Sequence, residues 1–182
     1  GLVVSNNTLR NIGEIIDDSG SYGFPGVAAT SSNGILIWNS PDTIITGNSI
    51  TSPTSSNGGE IHGIRYEHFL VGAASSFENV SVLGNSFDFT STGRGTDNGI
   101  SGVEIRVEGA VGAVHALVGL TVSNNQVYSV SKNILDRGID VAVEDYASLS
   151  SVLIEGNTVR NYTLSGISNR VTFLDSFLDG TS

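Results

Sequence analysis

Apolar and polar residues alternate along short segments of this chain, and a glycine or asparagine bend follows each of them. The stretch 34–50, GILIWNSPDTIITGNSI, shows the unit: glycine, an alternating run, a polar turn, and a second run that ends in Gly-Asn. Alternation with period two is the pattern of a β-strand with one buried face. The pattern therefore predicts short strands joined by turns.

An asparagine motif recurs five times. Its central residues, called the ladder asparagines below, are Asn7, Asn48, Asn85, Asn125 and Asn157. Three positions earlier lies an aliphatic residue: Val4, Ile45, Val82, Val122 and Ile154. Two positions later lies another apolar residue: Leu9, Ile50, Phe87, Val127 and Val159. Directly before each ladder asparagine lies Asn or Gly: Asn6, Gly47, Gly84, Asn124 and Gly156. Because these two types tolerate a left-handed backbone best, each motif predicts a sharp bend.

A second marker, Gly-Ile, also occurs five times and alternates with the asparagine motif. Its copies are Gly34-Ile35, Gly63-Ile64, Gly99-Ile100, Gly138-Ile139 and Gly166-Ile167. In the third copy the alternating run begins only at Val103, so we expect a β-bulge at Ser101-Gly102. Repeated units that contain short strands and no long helical pattern indicate a β-solenoid.

Gly-Ile, a strand and then aliphatic-x-Gly/Asn-Asn-x-aliphatic together resemble the repeat of right-handed parallel β-helix proteins, the pectate-lyase-like enzymes and phage tailspikes. The resemblance covers about residues 1–170. It implies an all-β fold, a single-stranded right-handed parallel β-helix of about five coils, as one domain over residues 1–182. In that family the repeated asparagines stack inside the coil, so the resemblance implies a structural role for the ladder asparagines.

Composition narrows the function classes. The 182 residues are 38% hydrophobic, enough for one domain with a core, and carry a net charge of −10. This charge argues against nucleic-acid binding and, through its field, favours a neutral or locally recognised glycan over a polyanion. No apolar run reaches the ~20 residues that span a membrane, so we expect no membrane insertion. Since the chain begins in mid-motif without a cap, we expect a segment of a longer protein.

Candidate chemistry lies on the outer face of the Gly-Ile strands. Alternation predicts these outward residues: Trp38, Arg65, Glu67, Glu104, Arg106, Glu108, Asp140 and Glu144, with His62, Asp97 and Arg137 at the edge. Acids on neighbouring coils would lie roughly 5 Å apart, which suits glycoside hydrolysis by paired carboxylates. The pairs considered are Glu67 with Glu104 and Glu104 with Asp140. The candidate substrate-binding residues are Trp38, Arg65, Arg106 and Glu144. A solvated face with cross-strand ion pairs is the alternative.

Two further features bear on partners and cofactors. Segments 69–77 and 109–119 are apolar and occupy the same place in successive coils, and Tyr146–Leu149 would extend the row. A row of this kind outside the core is a candidate subunit interface, and a local loop or short helix is the alternative. The three histidines, His62, His68 and His115, are scattered, so no metal site is predicted, and no cofactor motif occurs.

These features favour a phage tailspike- or tail-fibre-like segment, extracellular or on the virion surface, that binds host polysaccharide as a homotrimer. Glycan cleavage by the outward carboxylates, as a glycoside hydrolase or polysaccharide lyase, would be an added activity. A secreted lyase, hydrolase or epimerase of the same fold is the second hypothesis, and a non-catalytic structural or adhesive solenoid is the third. Since this fold hosts all of these functions, the repeat pattern does not choose among them.

Overall fold

The computed structural model describes residues 1–10, 31–51, 60–69, 74–89, 100–110, 113–129, 135–172 and 177–178. Within these ranges the chain is all-β, and its strands form three sheets whose neighbouring strands run parallel. None of these residues belongs to a helix long and apolar enough to cross a membrane.

The strands enter the three sheets in strict rotation along the chain. Sheet A has the order β1 (Leu2–Ser5), β4 (Thr43–Thr46), β7 (Ser75–Leu83), β10 (His115–Ser123), β13 (Ala147–Glu155) and β16 (Phe177–Leu178). Sheet B has the order β2 (Thr8–Arg10), β5 (Ser49–Thr51), β8 (Ser86–Phe89), β11 (Gln126–Ser129) and β14 (Thr158–Arg160). Sheet C has the order β3 (Ser31–Trp38), β6 (Glu60–Phe69), β9 (Ile100–Glu108), β12 (Leu135–Glu144) and β15 (Tyr162–Thr172). Stacking each strand on the strand three places along the chain is consistent with a parallel β-helix.

The register between strands follows the repeat read from the sequence. In sheet A, the aliphatic residues three positions before the ladder asparagines are Cα partners in one row, from Val4 to Ile154. In sheet B, the residues two positions after them form a second row, from Leu9 to Val159. The central members of both rows are fully buried. The predicted alternation is therefore confirmed, since neighbouring coils bury the same positions.

Each predicted bend adopts the left-handed backbone. The residues before the ladder asparagines have positive φ angles: 55° at Asn6, 64° at Gly47, 60° at Gly84, 55° at Asn124 and 63° at Gly156. L-residues other than Asn, Asp and Gly reach this region only at a steric cost, which explains the restricted choice of residue. The sharp bends predicted from these residues are confirmed.

The ladder asparagines bond to one another from coil to coil. The side-chain oxygen of Asn125 accepts a hydrogen bond from the backbone N–H of Asn85 at 2.9 Å and from its side-chain amide at 3.0 Å. The same two bonds join Asn7 to Asn48, Asn48 to Asn85, and Asn125 to Asn157. The amide of Asn125 also donates to the carbonyl of Val82 at 2.9 Å. The buried amides thus have partners, and they tie successive A-to-B bends together.

A column of glycines lies where sheet C meets sheet B: Gly34, Gly63, Gly102, Gly138 and Gly166. A Cβ on Gly102 would lie 2.6 Å from the side chain of Val127 and 2.7 Å from the carbonyl oxygen of Gly138. The other inner members of the column show the same double contact with the next coil and with sheet B. Only glycine fits this approach of backbone to side chain.

The glycine column shows that the third copy of the Gly-Ile marker was assigned to the wrong residues. Ile100 pairs with Ile61, and Val103 pairs with Ile64. Gly102-Val103 therefore takes the place that we assigned to Gly99-Ile100, and the predicted bulge at Ser101-Gly102 is wrong. The local dipeptide misled because stacking against the next coil, and not the dipeptide, determines the register.

Residues 75–77 and 115–119 of the apolar segments belong to strands of sheet A, so the prediction of a row outside the core is wrong for these residues. Ser75 pairs with His115, and His115 with Ala147, which confirms that the segments lie side by side. Leu117 and Leu149 belong to the core, and Val114 and Val118 remain exposed. Residues 70–73 and 111–112 lie outside the described residues.

Candidate functional site

Outward residues on paired strands of sheet C form parallel rows across the face. The first row is Asn33, His62, Ser101, Arg137 and Ser165. The second row is Leu36, Arg65, Glu104, Asp140 and Ser168. The third is Trp38, Glu67, Arg106 and Ala142, and the fourth begins Phe69, Glu108 and Glu144. All the candidate residues except Asp97, which lies outside the described residues, share this face.

Trp38 is an exposed aromatic residue of this face. Its side chain is 58% exposed, while Ile35 and Ile37 of the same strand are buried, as the alternation predicted. The indole N–H donates a hydrogen bond to the Glu67 carboxylate. Trp38 is therefore held at its polar edge while its ring faces solvent, so its orientation is restricted before any ligand arrives.

Arg65 lies between two of the candidate catalytic carboxylates. Its guanidinium approaches Glu67 Oε1 to 2.6 Å and Glu104 Oε2 to 3.1 Å. All three side chains are mostly removed from solvent, at 11%, 15% and 9% exposure. An ion pair withdrawn from water in this way survives only with close geometry and additional partners. Both carboxylates are thus already engaged by a cation of the chain itself.

The register decides which acids oppose one another. Glu67 is the Cα partner of Arg106, and Glu104 is the partner of Arg65 and of Asp140. Glu67 and Glu104 lie on neighbouring strands but are not Cα partners, because they are two positions apart along the strands. Glu104 and Asp140 are neighbours, but Asp140 is buried and lies 3.8 Å from Arg137 Nη1.

The directly opposed carboxylates at the far end of the face are Glu108 and Glu144. Arg106 Nη2 lies 2.8 Å from Glu108 Oε2 and 2.7 Å from Glu144 Oε2, and its Nε donates to Glu144 at 3.0 Å. Arg106 Nη1 also lies 3.8 Å from Glu67 Oε1. One guanidinium therefore joins carboxylates from three strands.

Burial and charge act on this cluster in opposite directions. Burial disfavours the charged form of Arg106, but Glu144 and Glu108 outweigh it and raise the arginine's pKa. Burial also raises the pKa of Glu108, and although Arg106 opposes this, Glu144 and Asp145 add to it. Glu108 was among the predicted outward residues but not among the candidate catalytic ones. The clean alternation of 103–108 was the signal that could have singled it out.

A hydroxyl, an imidazole and a carboxylate meet in the first two rows. His62 Nδ1 lies 2.7 Å from Ser101 Oγ, and His62 Nε2 lies 3.4 Å from Glu104 Oε2. A serine beside an imidazole oriented by an acid is the arrangement that activates a nucleophile in hydrolases. All three residues are buried, so the group is closed to solvent as it stands. Sequence reasoning missed it because the misplaced bulge hid the alignment of Ser101 with His62.

The remaining two histidines lie together inside the coil, so the prediction of three scattered histidines is wrong. Ser75 Oγ lies 3.1 Å from His68 Nε2 and 2.7 Å from His115 Nδ1, and the two rings are 5.2 Å apart. Burial lowers the pKa of His68 to about 4, and the neighbouring His115 adds to the effect. Among the residues that the structure describes, no group of three or more His, Cys, Asp or Glu could hold a metal ion.

Comparisons with protein-family models, with curated proteins and with solved structures find no match for this chain. The parallel all-β architecture therefore rests on the strand order and register of the chain itself. A functional argument has to start from the chemistry of the outer faces, because no relative supplies one.

Proposed function

We propose that this chain is a right-handed, single-stranded parallel β-helix of about five coils that binds a polysaccharide along the outer face of sheet C, as a phage tailspike or tail-fibre segment would. The rotation of strands through three sheets and the stacked ladder asparagines support this. The repeat motif, which resembles the pectate-lyase-like and tailspike repeat, supports it too. We place the protein outside the cell or on the virion surface.

The exposed, hydrogen-bonded Trp38 carries the proposal. An aromatic ring with its polar edge fixed offers an apolar face for the C–H side of a sugar ring and loses little conformational freedom on binding. The carboxylate and guanidinium groups of Glu67 and Arg65 lie beside it and can accept from and donate to sugar hydroxyls. An aromatic platform next to a few convergent polar groups is the usual composition of a ligand site.

Binding to a glycan array, followed by titration calorimetry with the best-bound oligosaccharide, tests the proposal. Trp38→Ala should weaken binding about tenfold or more, because it removes the platform. Leu36→Ala is the matched control, since Leu36 is an exposed apolar residue on the same strand. Equal affinity in wild type and Trp38→Ala would contradict the assignment of the site. An array without any bound glycan would instead favour a structural or adhesive solenoid.

A homotrimer is part of the same proposal. On the outer face of sheet A, exposed apolar side chains from four strands support it: Val3, Ile44, Val118 and Leu153. Val3 and Ile44 are Cα partners on neighbouring strands, and exposed apolar side chains that lie together mark interaction surfaces. Light scattering after size-exclusion chromatography should give three times the chain mass, and a mass of one chain would contradict the trimer.

Glycan cleavage, as a hydrolase or lyase, is the second candidate function. The opposed pair Glu108 and Glu144 favours it, because a carboxyl whose pKa burial raises can keep a proton to give to a leaving group. Glu67, Glu104 and Asp140 stay as candidates for the second carboxylate, which would act as base or nucleophile beside Glu108. A reducing-end assay on the bound glycan would test this, with Glu108→Gln expected to abolish turnover and keep binding. Unchanged turnover in Glu108→Gln and Glu67→Gln would remove the activity from this face.

A further inference from the structure

Sheet B carries an open groove on its outer face. The groove has a volume of about 390 Å³ and is lined by Gln126, Val127 and Tyr128 of β11 and by Thr158 and Arg160 of β14. This volume lies within the range of small-molecule sites, which starts near ~300 Å³. The groove lies on a different sheet from Trp38 and the charged rows, so the proposed function does not use it.

The register places complementary groups around one aromatic ring. Tyr128 is the Cα partner of Arg160 on one side and of Asp88 on the other. Gln126 is the partner of Thr158, so an amide and a hydroxyl lie beside each other two positions before Tyr128 and Arg160. Tyr128 is 43% exposed. The groove therefore offers an aromatic surface, a cation, an amide and a hydroxyl within two adjacent strands.

These groups are not used within the part of the chain that the structure describes. There, the side chains of Gln126, Tyr128, Thr158 and Arg160 make no hydrogen bond or ion pair. Oδ1 of Asp88 is buried without a hydrogen-bond partner in the same ranges. Buried polar atoms without partners are rare, and each one marks a place where a ligand or water can supply the bond. Two independent observations, free donors in an open groove and an acceptor without a partner on Asp88, the Cα partner of Tyr128, thus point to a polar ligand.

We propose that this groove is a glycan-binding subsite that takes a neutral, hydroxyl-rich sugar residue, with the ring on Tyr128 and hydroxyls bonded to Arg160, Gln126 and Thr158. Sugar hydroxyls both donate and accept, so one ring satisfies a guanidinium, an amide and a hydroxyl together. An acidic sugar fits less well, because Asp88 borders Tyr128 and the chain carries a net charge of −10. The inference rests on the proposed glycan binding but assigns a second face to it.

The test uses an array that carries neutral and uronate-containing oligosaccharides, followed by calorimetry with the neutral oligosaccharide bound best. Tyr128→Ala and Arg160→Gln should each weaken that binding about tenfold or more. Tyr162→Ala is the matched control, because Tyr162 lies in sheet C and is 42% exposed. All three residues are at the surface, so circular dichroism and thermal unfolding should show that the variants keep the fold.

Comparing the glycan binding of Tyr128→Ala with that of Trp38→Ala separates this inference from the proposed function. Loss of a neutral-glycan signal in Tyr128→Ala that survives in Trp38→Ala supports the groove. Loss in Trp38→Ala with full binding in Tyr128→Ala overturns the groove and leaves the sheet C site standing. Binding of uronate-containing probes alone overturns the neutral-sugar assignment, and absence of any bound probe overturns both sites.

Discussion

The outer faces of sheets C and B are formed by the same coils, yet they use their polar groups in opposite ways. On sheet C, Arg65 and Arg106 each contact two or more carboxylates from their own and neighbouring strands. On sheet B, Arg160 makes no ion pair with any described residue, although Tyr128 and Asp88 lie in the same row. The arginines of sheet C are thus paired by the chain itself, and Arg160 of sheet B is left with free donors among the described residues.

Strand length explains much of this difference. β9 has nine residues and β12 has ten, so each strand presents several outward side chains, and a long arginine finds acids along and across the strands. β11 has four residues and β14 has three, so each presents only two. A charge there has few neighbours to pair with. An arginine without an ion-pair partner therefore lies on the short-strand face, while the long-strand face combines an ordered charge network with exposed aromatic rings such as Trp38.

The largest expected effect comes from Gly102→Ala, which tests whether the two faces share one rigid frame. The new methyl group would meet Val127 of sheet B and the backbone of Gly138 at once, so we expect a loss of about 4 kcal/mol of folding stability, or no folding. Gly84→Ala is the control, because its surroundings are open and only the left-handed backbone costs about 1–2 kcal/mol. Urea unfolding measures both, and equal losses would contradict the glycine column.

Asn125→Ala comes next, because it interrupts the stack at the bends that lead into sheet B. It leaves the buried backbone N–H and side-chain amide of Asn85 without their acceptor, so we expect a loss of about 3 kcal/mol. Asn124→Gly, the neighbouring residue with a φ of 55°, should cost little, since glycine adopts that backbone freely. If the two variants unfold at the same urea concentration, the stacked amides do not hold the coils together.

Acid should weaken the corner between sheets C and A, where His68 is buried. Its pKa is about 4 in the folded chain, below the ordinary value of 6.5, so only the unfolded chain takes up a proton between these values. Stability should be fully present above about pH 6.5 and should fall by up to about 1.4 kcal/mol per pH unit toward pH 4.

Urea unfolding across this pH range tests the acid dependence. His68→Phe, which keeps a ring against Phe77, should flatten the slope. A wild-type profile without a slope between pH 6.5 and 4 would show that the imidazole is not held neutral by burial.

The smallest effect is also the most direct test of the comparison between the faces. Arg106→Gln leaves Glu108 and Glu144 opposed without a cation, so we expect a loss of about 1–2 kcal/mol that shrinks in high salt. Arg160→Gln should change stability by less than about 0.5 kcal/mol, because no described residue pairs with it. Thermal unfolding at low and high salt compares the two, and a large effect of Arg160→Gln would reveal a hidden partner.

Much of the parallel all-β frame could be predicted from local patterns. Alternation correctly placed Ile35 and Ile37 inside and Trp38 outside, because a strand with one buried face needs only its own period. The outward positions of the candidate site follow from the same rule. The opposition of Glu108 and Glu144 around Arg106 could not be predicted. If Gly99 is aligned with the glycines of the other coils in place of Gly102, the register of the strand shifts and every cross-strand neighbour changes.

By itself, the sequence determined the short strands, their inward faces and the left-handed bends, since these depend on the steric and apolar character of residues a few positions apart. Only the tertiary structure decided which residues become neighbours: Ser101 with His62, His68 with His115, and Arg160 with Tyr128. The partners in each pair are distant in sequence, and their proximity depends on how one coil stacks on the next. Stacking depends on many backbone hydrogen bonds and close contacts, such as the contact at Gly102. It cannot be predicted from any single short motif.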